Sequence, residues 1–263
     1  MTFWLPEPSA DNPHKYHYHA PGRAGVGPEE QPFIMGGVSM GCTISALEMA
    51  TGQSLLWAHG QFLSAARPDV PLIIDLELPE KGKSITQASA ILRDGDRIIL
   101  KLTGGLGGRE GYPLHQFHPM PDVPQPMDCP IKQADVYYRD DNLIGFFEKR
   151  LAHEDDHDGT EHLWFKPAED VPVTAGYLAI LADFLGGSHR LTRTCTSLDN
   201  LVRIHSLKPT KWVLNETKIT AMANGAFCGD RRLFAEDGTL LASASQTALL
   251  PRRSQGGEIK PRA

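Results

Sequence analysis

Apolar and polar positions along the chain change their spacing in the same order twice. Residues 39–50 place small and apolar side chains at near-helical spacing, with Met40, Ile44 and Leu47 on one face, and predict a helix. Strand-like stretches follow at 55–65, 71–78, 84–92 and 97–103. Five prolines between 118 and 130 exclude a continuous helix or central strand there and mark a linker. Beyond it, 134–138 and 162–166 predict short strands, and 175–185 predicts a second helix closed by Gly186-Gly187. Strands are predicted again at 197–205, 211–220, 226–234 and 239–250. Residues 1–30, rich in Pro, Gly and His, read as an irregular arm with one short strand. Each half is one helix followed by an antiparallel meander, an α+β arrangement in which a sheet wraps a mostly apolar helix. The expected boundaries are an arm and first domain at 1–118, a linker at 119–130, a second domain at 131–253 and a tail at 254–263.

The two halves share a sharper signature. Segments 93-RDGDRIILKLT-103 and 236-EDGTLLASASQ-246 superimpose at an offset of 143 residues, which sets Asp94-Gly95 on Asp237-Gly238, Gly82 on Gly225 and Thr103 on Gln246. Both read as a tight Asp-Gly turn feeding a strand. Alternation along the last strand puts Gln246 with Ala242, Ala244, Ala248 and Leu250, and Ser243, Ser245 and Thr247 on the other face. A primary amide buried without partners costs roughly 1–3 kcal/mol, so Gln246 calls for polar company. The second helix offers Asp183 after an apolar run. An acid and an amide on facing surfaces would orient a water molecule. The pattern also admits a structural Gln246 and an Asp183 that caps the helix or faces solvent.

Composition narrows the partners. With 26 Lys and Arg against 32 Asp and Glu the net charge is −6, so no global basic field for nucleic acid exists and no nucleic-acid partner is expected. No apolar run approaches the ~18 residues of a membrane span. The first residues lack the basic flank and apolar core of a secretory signal. Cys42, Cys129, Cys195 and Cys228 show no C-x-x-C spacing and read as reduced thiols, so a cytoplasmic protein without membrane partners is expected. The segment 37-GVSMG-41 fits the nucleophile-elbow pattern at Ser39, but too little chain precedes it for a parallel sheet. The His- and acid-rich run 153–162 matches no metal-ligand spacing and reads as a solvated linker. The glycines of 104–108 lack the features of a phosphate loop and read as a flexible strand exit. No metal or cofactor is expected.

Several short motifs occur in a telling order: 36-GGVSMG-41, 120-MPDVPQP-126, 164-WFK-166, 180-ILADFL-185, 197-SLDNLVRIH-205, 212-WVLNET-217, 237-DGTLLASASQ-246 and Arg252. Together they resemble the bacterial type II acyl-CoA thioesterases, a double hot-dog family. The resemblance implies a tandem hot-dog fold, an acyl-CoA substrate, a homo-oligomer and no cofactor. It also implies a trio of Asp, Ser or Thr, and Gln at Asp183, Ser197 and Gln246, which hold a water that attacks the thioester carbonyl. Arg190, Arg193, Lys208, Arg231 and Arg232 become candidates for the coenzyme A phosphates. Two positions depart from the family: Asn200 stands where a histidine is usual, and Thr247-Ala248 where Glu-Gly is usual. Strict alternation would turn Ser197 away from the site, so either a bulge precedes Asn200 or Thr196 supplies the hydroxyl. The corresponding slots of the first half fall on Glu48 and Thr103, either a second site or, in the preferred reading, a scaffold that forms part of the acyl pocket. Two rivals remain: a hot-dog protein that binds acyl-CoA without turnover, and an enoyl thioester hydratase or dehydratase built on His205 and Asp199.

Overall fold

A computed structural model describes residues 2–78, 82–132 and 137–250. The first half contains β1 (Glu7–Pro8), β2 (Lys15–His19), β3 (Gly25–Val26), β4 (Phe33–Ile34), α1 (Gly36–Thr51), β5 (Leu55–Phe62), β6 (Pro71–Glu77), β7 (Ile85–Asp94) and β8 (Arg97–Gly107). The second contains β9 (Phe147–Asp155), β10 (Thr160–Pro167), α2 (Ala175–Ala182), β11 (Thr196–Ser197), β12 (Asp199–Ile204), β13 (Val213–Ala223), β14 (Ala226–Ala235) and β15 (Leu240–Leu249). The large sheet runs β1-β2-β6-β7-β8-β5-β12-β15-β14-β13-β10-β9, with β11 also on β15. Read outward from the β5–β12 junction, the two halves have the same strand order. The two halves of this sheet pack around a central pair of helices.

Those helices are apolar on nearly every side because sheet or helix covers each of them. Thr174 caps α2, its hydroxyl accepting from the Tyr177 N–H at 3.1 Å. The helices cross where glycine faces glycine. A Cβ on Gly41 would lie 2.8 Å from the Gly176 carbonyl oxygen, and one on Gly176 2.9 Å from that of Gly41. No other residue type permits this approach, and it brings the start of α1 against the end of α2.

Several expectations need correction. The arm carries paired strands, not one: β1 pairs with β2, and β2 pairs with β6 at the sheet edge. Residues Gly104–Gly107 are not a flexible exit. They continue β8, and a Cβ on Gly105 would sit 2.5 Å from the Trp57 indole nitrogen. The acidic run 153–162 is the closed end of the β9–β10 hairpin, paired strand on both sides of the turn at 156–159, rather than a linker. Strand β9 escaped prediction because an outer edge strand keeps charged residues, here Glu148, Lys149 and Arg150, that blur alternation while discouraging edge pairing. The second helix ends at Ala182 and continues as a 3-10 turn, Phe184–Gly187. Of the strand expected at 134–138, residues 134–136 lie outside the described residues, as do Arg252 and the tail at 254–263. The proline-rich segment is a strap on the outer face of the second sheet. The Trp164 indole donates to the Pro124 carbonyl at 3.1 Å, and Met120, Val123 and Cys129 pack with Trp164, Trp212 and Phe234.

Candidate active site

The close helix crossing delivers Asp183, the first residue after α2, to the amino end of α1. Asp183 Oδ2 accepts from the Gly37 backbone N–H at 2.6 Å. Glycine is required here, since a Cβ on Gly37 would stand 2.7 Å from Asp183 Cβ and 2.9 Å from Ile180 Cα. The other oxygen, Oδ1, meets the second sheet. The Gln246 side-chain amide donates to it, and the Ser197 hydroxyl approaches it at 3.5 Å. The same Gln246 nitrogen donates to Ser197 Oγ at 3.0 Å. All three residues named from the sequence therefore meet at one point.

Local structure explains why Ser197 points inward. The pairing with β15 steps by one residue between Ser197–Ala248 and Leu201–Ser245. Leu198 sits at the step, its N–H bonded to the Thr247 carbonyl and its carbonyl to the Phe62 N–H. This irregularity turns Ser197 toward Gln246 while Asn200 and Val202 also face the core. Thr196 is exposed and lies beside the cavity. Asn200 is fully buried, and neither polar atom of its side chain has a hydrogen-bond partner among the described residues.

Electrostatics set the acid apart. Burial pushes the Asp183 carboxyl up to about 6, opposed by the Gly37 N–H, the Gln246 amide, the Arg231 charge and the Ser197 hydroxyl. A carboxyl near this value is ionised at neutral pH yet basic enough to take a proton from water. Asp183 and Ser197 open onto a cavity of about 580 Å³. Its wall is shared: Ile34, Gly36, Ser39, Phe62 and Ile99 come from the first half, and Ile144, Phe184 and Arg193 from the second. The volume is in the range of small-molecule sites, and the lining is mostly apolar with few polar groups.

Other sequence candidates fall elsewhere. Thr103 is exposed on the outer face of β8, so it is not the inward counterpart of Gln246. Glu48 Oε1 accepts from the Leu55 N–H at 2.9 Å and pins the turn after α1. His205 contacts Ser243, whereas Asp199 pairs with His59 at 3.2 Å, both half-exposed. Arg190 pairs with Asp156, Lys208 with Asp237 and Arg232 with Glu216, and Arg231 is buried. Among the five cations, Arg193 lines the cavity. Ser39 lines it too, but from within α1 rather than from an elbow after a strand. Sequence reading did not single out Gly37, and it placed Arg231 among the coenzyme A candidates rather than behind Asp183. The Gly36-Gly37 pair opening a helix was a usable signal for the first.

A profile of the acyl-CoA thioesterase C-terminal domain matches residues 114–250. The chain belongs to the acyl-CoA thioesterase family. This thioesterase resembles in structure a candidate thioesterase from Novosphingobium aromaticivorans, at 26% identity over 94% of this chain and 99% of that one, with a TM-score of 0.88. Acyl-CoA thioesterase II from Mycobacterium marinum shares the fold at 16% identity, 97% and 98% coverage and a TM-score of 0.75. A hot-dog protein from Alicyclobacillus acidocaldarius does so at 17%, 96% and 97%, and 0.78. No curated protein matches the chain in sequence. The thioesterase is thus a thioester hydrolase with the α+β tandem hot-dog fold.

Proposed function

We propose that the thioesterase hydrolyses a fatty or other acyl-CoA to the free acid and coenzyme A by direct attack of a water held by Asp183, Ser197 and Gln246. The observation that carries this reading is the convergence of Ser197 and Gln246 on Asp183 Oδ1, with Asp183 and Ser197 at the wall of a cavity built by both halves. Asp183 accepts the proton of the attacking water as its oxygen bonds to the acyl carbon. Ser197 and Gln246 fix the direction of attack, and positioning of this kind supplies a large share of the rate. The amino end of α1 faces the cavity at Gly36, and its dipole favours the oxyanion that forms. Collapse of the tetrahedral intermediate breaks the C–S bond, and the proton held by Asp183 passes to the departing thiolate. No covalent bond to the protein is needed. In this reading residues 1–118 and 131–253 are the two domains, 119–130 joins them, and the protein is a cytoplasmic homo-oligomer. The oligomer rests on the family resemblance, and the cytoplasmic location on the spacing of the four cysteines.

Purified protein is expected to release thiol from acyl-CoA esters, and a panel of chain lengths that yields none would reject the function. Arg193, exposed at the cavity, is proposed to meet a coenzyme A phosphate. Arg193→Ala should then raise KM about 5- to 10-fold for acyl-CoA with kcat kept, the loss of one exposed charge contact being worth ~1 kcal/mol. An acyl N-acetylcysteamine thioester, which lacks the phosphates, should show no change.

A further inference from the structure

Asp183 occupies an unfavourable place for a carboxylate. It follows the last residue of α2, where the helix dipole is negative. One N–H from α1 and one amide from β15 offset this only in part. Behind it stands Arg231, an inward residue of β14 that is only 2% exposed. Its Nη1 donates to the Leu181 carbonyl at 2.9 Å, and the Asn215 amide donates to the same oxygen at 3.2 Å. Arg231 pairs with Ala244 across β14 and β15, two residues along the inward face from Gln246. No carboxylate lies within salt-bridge distance of it among the described residues, and its Nε has no hydrogen-bond partner there. A buried cation without a close counter-ion is costly, and such a group persists where the surrounding field rewards it.

We infer that Arg231 is a positioning residue that caps the carboxyl end of α2 with a buried positive charge and thereby keeps Asp183 ionised at neutral pH. This rests on the reading of Asp183 as the base. The guanidinium cancels the negative end of α2 and attracts the carboxylate one residue beyond that helix. The coupling is mutual: Arg231 lowers the Asp183 carboxyl, and Asp183 raises the guanidinium, which burial has pulled down to about 9. The other titratable group coupled to Asp183 is the Cys195 thiol, pushed up to about 12 by burial and so neutral near pH 7. The Gly37 N–H, Ser197 and Gln246 complete its surroundings and carry no charge.

The test is the pH profile of kcat/KM for thiol release by the full-length protein. Arg231→Gln, which removes the charge and keeps an amide donor, should move the acid limb upward by about one pH unit or more, as expected for loss of a neighbouring opposite charge. Arg231→Lys keeps the charge and should hold the limb near that of wild type. An unmoved limb in Arg231→Gln with a uniformly lower rate overturns the inference and leaves Arg231 a packing residue. Should Arg231→Gln fail to fold, the lysine variant decides, because a limb displaced by a full pH unit with the charge retained also overturns it. Asp183→Asn is assayed in parallel. Activity surviving there defeats the reading of the site itself, whereas an inactive Asp183→Asn beside an unmoved Arg231→Gln limb defeats only this inference.

Discussion

Asp183→Asn is expected to lower kcat about 10³-fold, since in the proposed mechanism the variant loses the group that accepts the proton of water. KM should change little, because in this proposal the thioester is held by the cavity rather than by this carboxyl. The same change has an opposite signature in stability. The Asp183 carboxyl sits at about 6 in the folded protein against the ordinary 3.8. Between those values the folded state binds more protons than the unfolded chain, so stability is full below pH 4 and declines as pH rises through 6. Above pH 6 the ionised group costs on the order of 3 kcal/mol. The asparagine variant has no such decline. Thermal melts across pH 4 to 7.5 should therefore show wild type losing stability relative to Asp183→Asn as pH rises. Parallel curves would mean that Asp183 is not held near 6. A variant that keeps most of its kcat would remove Asp183 from the chemistry.

Gly37→Ala should damage stability and activity together. The added methyl would stand 2.7 Å from Asp183 Cβ, 2.9 Å from Ile180 Cα and 3.0 Å from the Ile180 carbonyl oxygen. Two of these are backbone atoms of α2, which no rotamer change relieves. The helices must part, at a cost of about 1–3 kcal/mol or more, as for other overpacked cores. The movement also takes the Gly37 N–H away from Asp183 and the acid away from Gln246. Displacement of about 1 Å at a site of this kind costs roughly 10² in rate. Circular dichroism melts and thiol release together check both effects. Wild-type stability and activity in Gly37→Ala would show that the glycine is not what admits α2.

Much of this site was legible because period-2 alternation is robust. It alone put Gln246 on the inward face of β15 among alanines. The apolar run before Asp183 likewise marked a carboxylate with no place in a core unless paired. The hydroxyl was harder. Ser197 reaches the site through a register step that involves β15, a strand about 50 residues away, and local pattern does not encode such a step. The comparison of Gln246 with Thr103 failed for a related reason. Counted from each Asp-Gly pair, the inward positions of β8 (Leu100, Leu102, Gly104) and of β15 (Ala242, Ala244, Gln246) are one residue out of phase, so an equal offset does not preserve which face a side chain takes. Thr103 ends outside and Gln246 inside. The duplication was correctly read, but the one-to-one match of its strand residues was not. The contacts that Gly37 and Arg231 make with the site were not legible for a different reason. Each acts on a partner in another element, 146 and 48 residues away in sequence, and neither breaks a local rule.

The site's chemistry stands or falls on where the acyl carbonyl and the attacking oxygen meet. A crystal structure with a ketone analogue of acyl-CoA, in which methylene replaces the thioester sulfur, shows both. The carbonyl carbon is expected in the cavity about 3–3.5 Å from a water bonded to Asp183, Ser197 and Gln246, the distance of a near-attack geometry. An analogue bound with its carbonyl away from these three residues would contradict the site, and Asp183 itself lying against the carbonyl carbon, with no water between, would contradict the oriented-water mechanism.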